Sequence, residues 1–353
     1  MKRPIMIMAG GTGGHVFPAL AVADYLSAKD VPLLWLGTER GLEARVVPEA
    51  GYRLLTLSIA GVRGKGIFTI LLAPFKIIFA VLQAIKIMIT HRPAVVLGMG
   101  GFASGPGGIA AWLMRTPVII HEQNAIAGMT NRWLSKVATK VFEAFPNTFP
   151  EKRSAQHVGN PVRNSIVNLI KQIKPKSEKR ILIVGGSLGA MTLNNVVPAS
   201  MSGLSEKPQI WHQTGQRDLV QTKDRYKEVG IEARVEAFLE DIDQAYAWAD
   251  LVICRAGALT ISELAAAGLP AILVPYPYAV DDHQTANAHY LADAGAAIII
   301  QDSDLTKEKL VSVIEEWVST PELISDMSSK AKAMAMTGAT EQVAESIMEV
   351  AYG

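Results

Sequence analysis

Three stretches of this chain place reactive side chains directly after short apolar runs. The first is Gly10-Gly-Thr-Gly-Gly-His15, which follows Ile5–Met8. An imidazole with an ordinary pKa near 6.5 suits proton transfer at neutral pH, so His15 is a candidate general base. The second is His121-Glu-Gln-Asn124, after Pro117-Val-Ile-Ile120, and it offers Glu122 as a second candidate base. The third is Arg255-Ala-Gly-Ala-Leu-Thr-Ile-Ser-Glu-Leu-Ala-Ala-Ala-Gly-Leu-Pro270. Here Ala256, Gly257 and Ala258 are small enough for a ligand to approach a helix start, where unpaired amides and the positive dipole end favour phosphate. Glu263 lies about one and a half turns in, placed to accept both hydroxyls of a ribose. Then comes Pro275-Tyr-Pro-Tyr-Ala-Val-Asp-Asp-His-Gln-Thr-Ala-Asn287, a polar cluster opening another helix.

The elements that must hold these residues read as alternating strands and helices. Ile5–Met8, Leu33–Gly37, Ile181–Val184, Leu251–Cys254 and Ala271–Pro275 read as strands, and Leu251–Cys254 has the length and β-branched content of a buried parallel one. Gly268 and Pro270 stop the helix between the last two. Open α/β sheets bind ligands at the C-terminal edge of their strands, which is where each cluster falls. Ile181-Leu-Ile-Val-Gly-Gly-Ser-Leu-Gly-Ala190 repeats the N-terminal design, so the chain carries two similarly built halves, and Ser187 is a candidate phosphate contact. Phe145–Pro150 and Val158–Arg163 mark the approach to the boundary, followed by the Lys-rich stretch 171–180.

Length and charge narrow the function classes. With 353 residues the chain can fill two domains, and a net charge of +1 gives no global case for nucleic acid. Cys254, the single cysteine, sits in an apolar strand and reads as core. The apolar N-terminus runs straight into a glycine loop and reads as strand rather than signal peptide. Residues 67–89 are largely apolar but carry Lys76, Lys86 and Pro74, and a central lysine costs about 2.5–3.5 kcal/mol on insertion. An interfacial helix whose Arg63, Lys65, Lys76 and Lys86 meet anionic headgroups fits better than a span; the bland reading is a core helix, and one helix can serve both ends. Asp241-Ile-Asp243 and Asp302-Ser-Asp304 invite a metal reading, yet each precedes a helical run and is expected to cap it; no metal or cofactor is called for. Gly98, Gly100 and Ala103, with Glu122 beyond, also fit a dinucleotide fingerprint, so an NAD-dependent dehydrogenase stays open as a competitor.

The three glycine loops Gly10–His15, Gly98–Gly108 and Gly185–Ala190, with His121–Asn124, Gly159-Asn-Pro-Val-Arg163 and the 255–270 block, resemble the MurG family of peptidoglycan glycosyltransferases from Ile5 to about Val343. The resemblance implies a GT-B fold, two Rossmann-like parallel-sheet domains facing across a cleft. Residues 1–162 would take the lipid acceptor and the membrane, 163–339 the UDP-GlcNAc donor, and 340–353 would form a helix packing back on the first domain. It implies inverting transfer of N-acetylglucosamine to the muramyl 4-hydroxyl of lipid I, giving lipid II. It places Thr12, Gly13, Gly14, Asn124, Arg163, Ser187, Leu239, Ala258, Leu259, Thr260, Ile261, Ser262, Glu263 and Gln284 on the donor. Glu263 is expected on the ribose, the backbone near Leu239 on the uracil and Gln284 on the sugar hydroxyls, with His15 or Glu122 as base. His283 stands where many relatives carry glutamine. Implied partners are lipid I, the anionic cytoplasmic face of the bacterial inner membrane, held peripherally, and other cell-wall synthesis and division proteins. A related transferase with another lipid acceptor and a catalytically idle sugar-nucleotide scaffold are the alternatives.

Overall fold

The structure, a computed structural model, describes residues 2–58, 73–169, 178–186 and 189–353. The chain divides into two units, residues 1–162 with 337–353, and residues 163–336.

In the first unit the strands are β1 (Ile5–Met8), β2 (Leu33–Thr38), β3 (Leu54–Leu57), β4 (Val95–Gly98), β5 (Val118–Glu122), β6 (Lys140–Glu143) and β7 (Gln156–His157). They form a parallel sheet in the order β3-β2-β1-β4-β5-β6-β7. Every residue of β1 is buried, which is why it reads as an unbroken apolar run rather than an alternating one. Its alternate side chains serve two layers. Ile5 and Ile7 meet helix Gly13–Ser27 and the C-terminal helix Ala339–Tyr352, through Val343, Ala344 and Ile347. Met6 and Met8 meet the opposite layer, with Ala84 and Met88 of helix Ala73–His91 and Ala110 of helix Ser104–Leu113.

In the second unit the strands are β8 (Arg180–Val184), β9 (Gln209–Gln213), β10 (Arg234–Glu236), β11 (Leu251–Cys254), β12 (Ala271–Leu273) and β13 (Ala297–Ile299). Again all pairs are parallel, in the order β10-β9-β8-β11-β12-β13. Ile181, Ile183 and Ile253 pack on Leu193 and Val197 of helix Met191–Met201 and on Leu310, Ile314 and Trp317 of helix Lys307–Ser319. Cys254 is buried, and burial pushes its thiol up to about 12, as suits a core residue.

Both sheets reverse their winding at one place, between β1 and β4 and between β8 and β11. At such a switch point the loops leaving the two central strands diverge and open a crevice at the C-terminal edge. Three of the four loops that leave these strands are glycine loops, and the fourth opens the 255–270 block. The helix Ala258–Ala267 ends as expected: Gly268 is left-handed (φ 61°), and Leu269 N–H donates to Leu264 O at 2.9 Å, closing the last turn. Asp241 caps helix Ile242–Trp248 by accepting from Gln244 N–H. The cap expected of Asp302 and Asp304 is not there. Those residues form a 3-10 turn, Thr306 caps helix Lys307–Ser319, and Asp302 is held instead by the Arg255 guanidinium.

Candidate active site

In the second unit, helix Ala258–Ala267 starts at the end of β11 with Gly257 at its cap position and no side-chain cap hydrogen bond, so the positive end of its dipole lies at the strand's C-terminal edge. Arg255 fixes the approach: its guanidinium donates to the Val274 and Pro275 carbonyls, both at 3.2 Å, and to Asp302. Glu263 is 6% exposed, and its Oε2 accepts from the Tyr246 hydroxyl at 3.1 Å. Burial raises its carboxyl pKa to about 7; the nearby Arg163 charge and the Tyr246 bond pull it down, and Asp243 pushes it up. Its surroundings therefore disfavour the charged form.

Leu259, Thr260, Ile261 and Ser262 lie on the two turns before Glu263, Ile261 wholly buried and the other three half-exposed. Arg163 is exposed at the entry to the short helix Asn164–Val167. Leu239 lies half-buried after β10, beside the exposed Phe238. Gln284 is half-buried on the first turn of helix His283–Ala292, where its Oε1 accepts from Tyr276 N–H at 2.9 Å; the turn before it runs through Asp281 and Asp282, both at positive φ. Ser187, Arg63 and Lys65 lie outside the described residues.

Sequence reasoning passed over two residues that shape this unit's site. Gln213, at the end of β9, accepts from Gly186 N–H and donates to Gly186 O and Ala237 O, tying the glycine loop to the segment before Leu239. Tyr246 sits in a helix with no motif to distinguish it.

In the first unit, Thr12 precedes helix Gly13–Ser27 without a side-chain cap, leaving Gly13, Gly14 and His15 on the opening turn. Gly101 comes so close to this loop that a Cβ there would lie 2.3 Å from Gly10 O. Glu43, also missed, is fully buried and accepts from Gly11 N–H, Thr38 N–H and the Thr38 hydroxyl at 2.7–3.0 Å. Glycines 10, 37 and 41 make room for it, since a Cβ on any of them would lie within 3 Å of its side chain. No spacing in the sequence signals this contact.

Glu122 is bound into the loop that follows it. It is 2% exposed, and its two oxygens accept from Asn124 N–H, the Asn124 amide, Gly128 N–H and the Asn131 amide at 3.0–3.2 Å. With four donors seated, it has no lone pair to spare for a hydroxyl proton, nor for the ribose of a dinucleotide. Of the two candidate bases, His15 is therefore the better placed. His15 remains half-exposed, with Nδ1 2.8 Å from Gln123 Oε1.

Residues 5–143 match the glycosyltransferase family 28 N-terminal domain, and residues 180–343 match its C-terminal domain. The chain belongs to glycosyltransferase family 28. Among its family relatives, the UDP-N-acetylglucosamine--N-acetylmuramyl-(pentapeptide) pyrophosphoryl-undecaprenol N-acetylglucosamine transferase of Methylococcus capsulatus is 50% identical over 99% of both chains. The Azotobacter vinelandii protein of the same name is 49% identical over the full length of both. The crystal structure of Acinetobacter baumannii MurG superposes with a TM-score of 0.85 at 43% identity, over 98% of this chain and 99% of that one. The family 28 fold is thus GT-B-like, with two parallel-sheet α/β domains.

The described part of the apolar run is helix Ala73–His91. Its segment Pro74–His91 is long and apolar enough to cross a membrane (mean hydropathy 1.4), yet only 17% of it is buried. Ala80, Ala84 and Met88, spaced by four, face inward, while Phe75, Ile78, Phe79, Leu82 and Ile89 are exposed. Helix Ser104–Leu113 packs beside it and helix Met129–Leu134 beside that, adding exposed Trp112, Leu113, Met129 and Trp133. Lys136 lies 3.7 Å over the Trp133 ring. This wider apolar area was not legible from the run alone.

Proposed function

We propose that the protein transfers N-acetylglucosamine from UDP-N-acetylglucosamine to the muramyl 4-hydroxyl of lipid I, yielding lipid II and UDP in peptidoglycan synthesis. The observation that carries this reading is 50% identity, over 99% of both chains, to a relative whose name states donor and acceptor. In this reading residues 163–336 hold the donor. Glu263 accepts from the ribose hydroxyls, the backbone near Leu239 meets the uracil, and Gln284 meets the sugar. The opening amides of helix Ala258–Ala267 and the glycine loop at Gly185 and Gly186 face the diphosphate and stabilise the charge that develops as UDP leaves. His15 takes the proton of the attacking hydroxyl. The hydroxyl oxygen bonds to the anomeric carbon, the carbon–diphosphate bond breaks on the opposite face, and the sugar inverts to a β-1,4 link.

The apolar area around helix Ala73–His91 fits peripheral attachment to an anionic bilayer at the cytoplasmic face of the inner membrane. Exposed rings lie beside Lys76, Lys86, Arg115, Arg132 and Lys136, all exposed. UDP release from UDP-N-acetylglucosamine, measured with and without a lipid I analogue, tests the whole reading. Turnover should depend on the analogue; hydrolysis indifferent to it, or no release at all, would defeat the assignment.

A further inference from the structure

The strongest unexplained arrangement is a line of polar groups running inward from His15. Gln123, 1% exposed, puts its Nε2 3.0 Å from the His121 carbonyl oxygen and 3.0 Å from His121 Nδ1, while its Oε1 faces His15 Nδ1 at 2.8 Å. His121, fully buried, places Nε2 2.9 Å from the Gly159 carbonyl. Main-chain carbonyls only accept, and two of them therefore fix every proton in the line. Gly159 O requires the His121 proton on Nε2, leaving His121 Nδ1 bare. The His121 carbonyl and that bare Nδ1 both require the Gln123 nitrogen, which turns its oxygen toward His15. That oxygen requires the His15 proton on Nδ1, and a neutral imidazole has only one. The ring is also confined on one side, since a Cβ at Gly100 (φ +98°) would lie 2.8 Å from its Nδ1 and Cε1.

We propose that Gln123 and His121 are positioning residues that hold His15 in the single neutral tautomer whose bare Nε2 accepts the substrate proton. This deepens the transferase reading and rests on it. In the reaction the attacking O–H bond breaks, its proton moves to Nε2, and Nδ1–H stays on Gln123 throughout. Burial keeps His121 at a pKa of about 4, so its own tautomer is not disturbed by a second proton near neutrality. Because the amide is neutral, it orients His15 without the rise in basicity a carboxylate would cause.

Nitrogen-15 shifts of the histidine rings in the full-length chain test this directly, with His15 assigned by the signals lost in His15→Gln. Above its titration, His15 should show a protonated Nδ1 and a bare Nε2. Protonation at Nε2 in the parent would overturn the proposal, whatever any variant does. Gln123→Leu should mix the tautomers and lower kcat roughly 10–100-fold, with the donor KM little changed. Gln123→Glu should move the acidic limb of kcat/KM up by about 1–3 pH units, as an opposite charge in contact does. A merely structural Gln123 would lower activity without moving that limb, which would also refute the proposal. Failure of the parent to transfer sugar would instead sink the transferase reading and leave the tautomer result standing.

Discussion

Glu263→Gln separates binding from stability. In the folded chain the carboxyl titrates at about 7, against an ordinary 4.5. Below pH 4.5 folded and unfolded chains both hold the proton, and nothing is lost. Between pH 4.5 and 7 only the folded chain holds it, so stability falls as pH rises. Above pH 7 the full difference of about 2.5 pH units applies, roughly 3 kcal/mol at 1.36 kcal/mol per unit. The isosteric amide keeps an acceptor for the Tyr246 hydroxyl and carries no charge. The ligand-free variant should therefore melt above the parent by about 6–12 °C at pH 8.5, taking 2–4 °C per kcal/mol for a unit of this size. At pH 5 the gap should shrink to under about 1 kcal/mol. The same change removes a charged acceptor for the ribose, so UDP binding should weaken by about 1.5–3 kcal/mol by calorimetry. Scanning calorimetry over this pH range checks the first half. A gap that does not grow with pH, or a variant less stable than the parent at pH 8.5, would refute the reasoning; unchanged UDP affinity would remove Glu263 from the ribose.

His15→Ala should lower turnover roughly 10²–10⁴-fold, the usual worth of general-base assistance, with UDP affinity nearly unchanged in titration. Glu122→Gln should act differently, through melting temperature: the amide cannot accept at both ends, so one pair of loop donors loses its partner, at about 1–3 kcal/mol. Replacing Lys76 and Lys86 by Gln should weaken co-sedimentation with anionic vesicles and its salt dependence, leaving turnover of a soluble acceptor intact; retention indifferent to salt and charge would point to insertion. His121 and His212, buried with pKa values held down to about 4 and 3, bind protons only when unfolded once pH drops below about 6.5. In the Glu263→Gln background, whose opposing titration is gone, urea stability should therefore fall steadily from pH 6.5 to 5; a flat profile contradicts the buried, neutral state of these rings.

Much of this architecture was legible because parallel strands buried on both faces leave unbroken apolar runs. Ile5–Met8 and Leu251–Cys254 are such runs, and Gly268 with Pro270 gave the helix stop. Within the first unit, the Gly10 and Gly98 loops were legible as turns but not as neighbours, since their approach follows from strand order. The surroundings of Glu122 were hidden for a related reason. A carboxylate at a strand's C-terminal edge reads as reactive until the donors around it are counted, and two of them, Gly128 and Asn131, lie six and nine residues away. Glu43, Gln213 and Tyr246 were invisible because each acts through a contact distant in the chain or unmarked by any motif. The cap expected of Asp302 failed on the same ground, because Arg255 reaches across 47 residues to claim its carboxylate.

The helix that completes the first unit's core is made after the whole of the second unit. Val343, Ala344 and Ile347 share one buried cluster with Ile5 and Ile7, and the Tyr352 hydroxyl donates to the Arg3 carbonyl, so stretches 349 residues apart belong to one core. On a ribosome adding about 5–20 residues per second, residues 1–162 would wait roughly 10–40 s for that helix to emerge, while 163–336 are completed in between. During this interval Ile5–Met8 has its neighbouring strands and helix Gly13–Ser27, but lacks the share of its cover that helix Ala339–Tyr352 supplies. Loss of helix Ala339–Tyr352 would therefore damage the first unit rather than the second, which immediately precedes it in the chain.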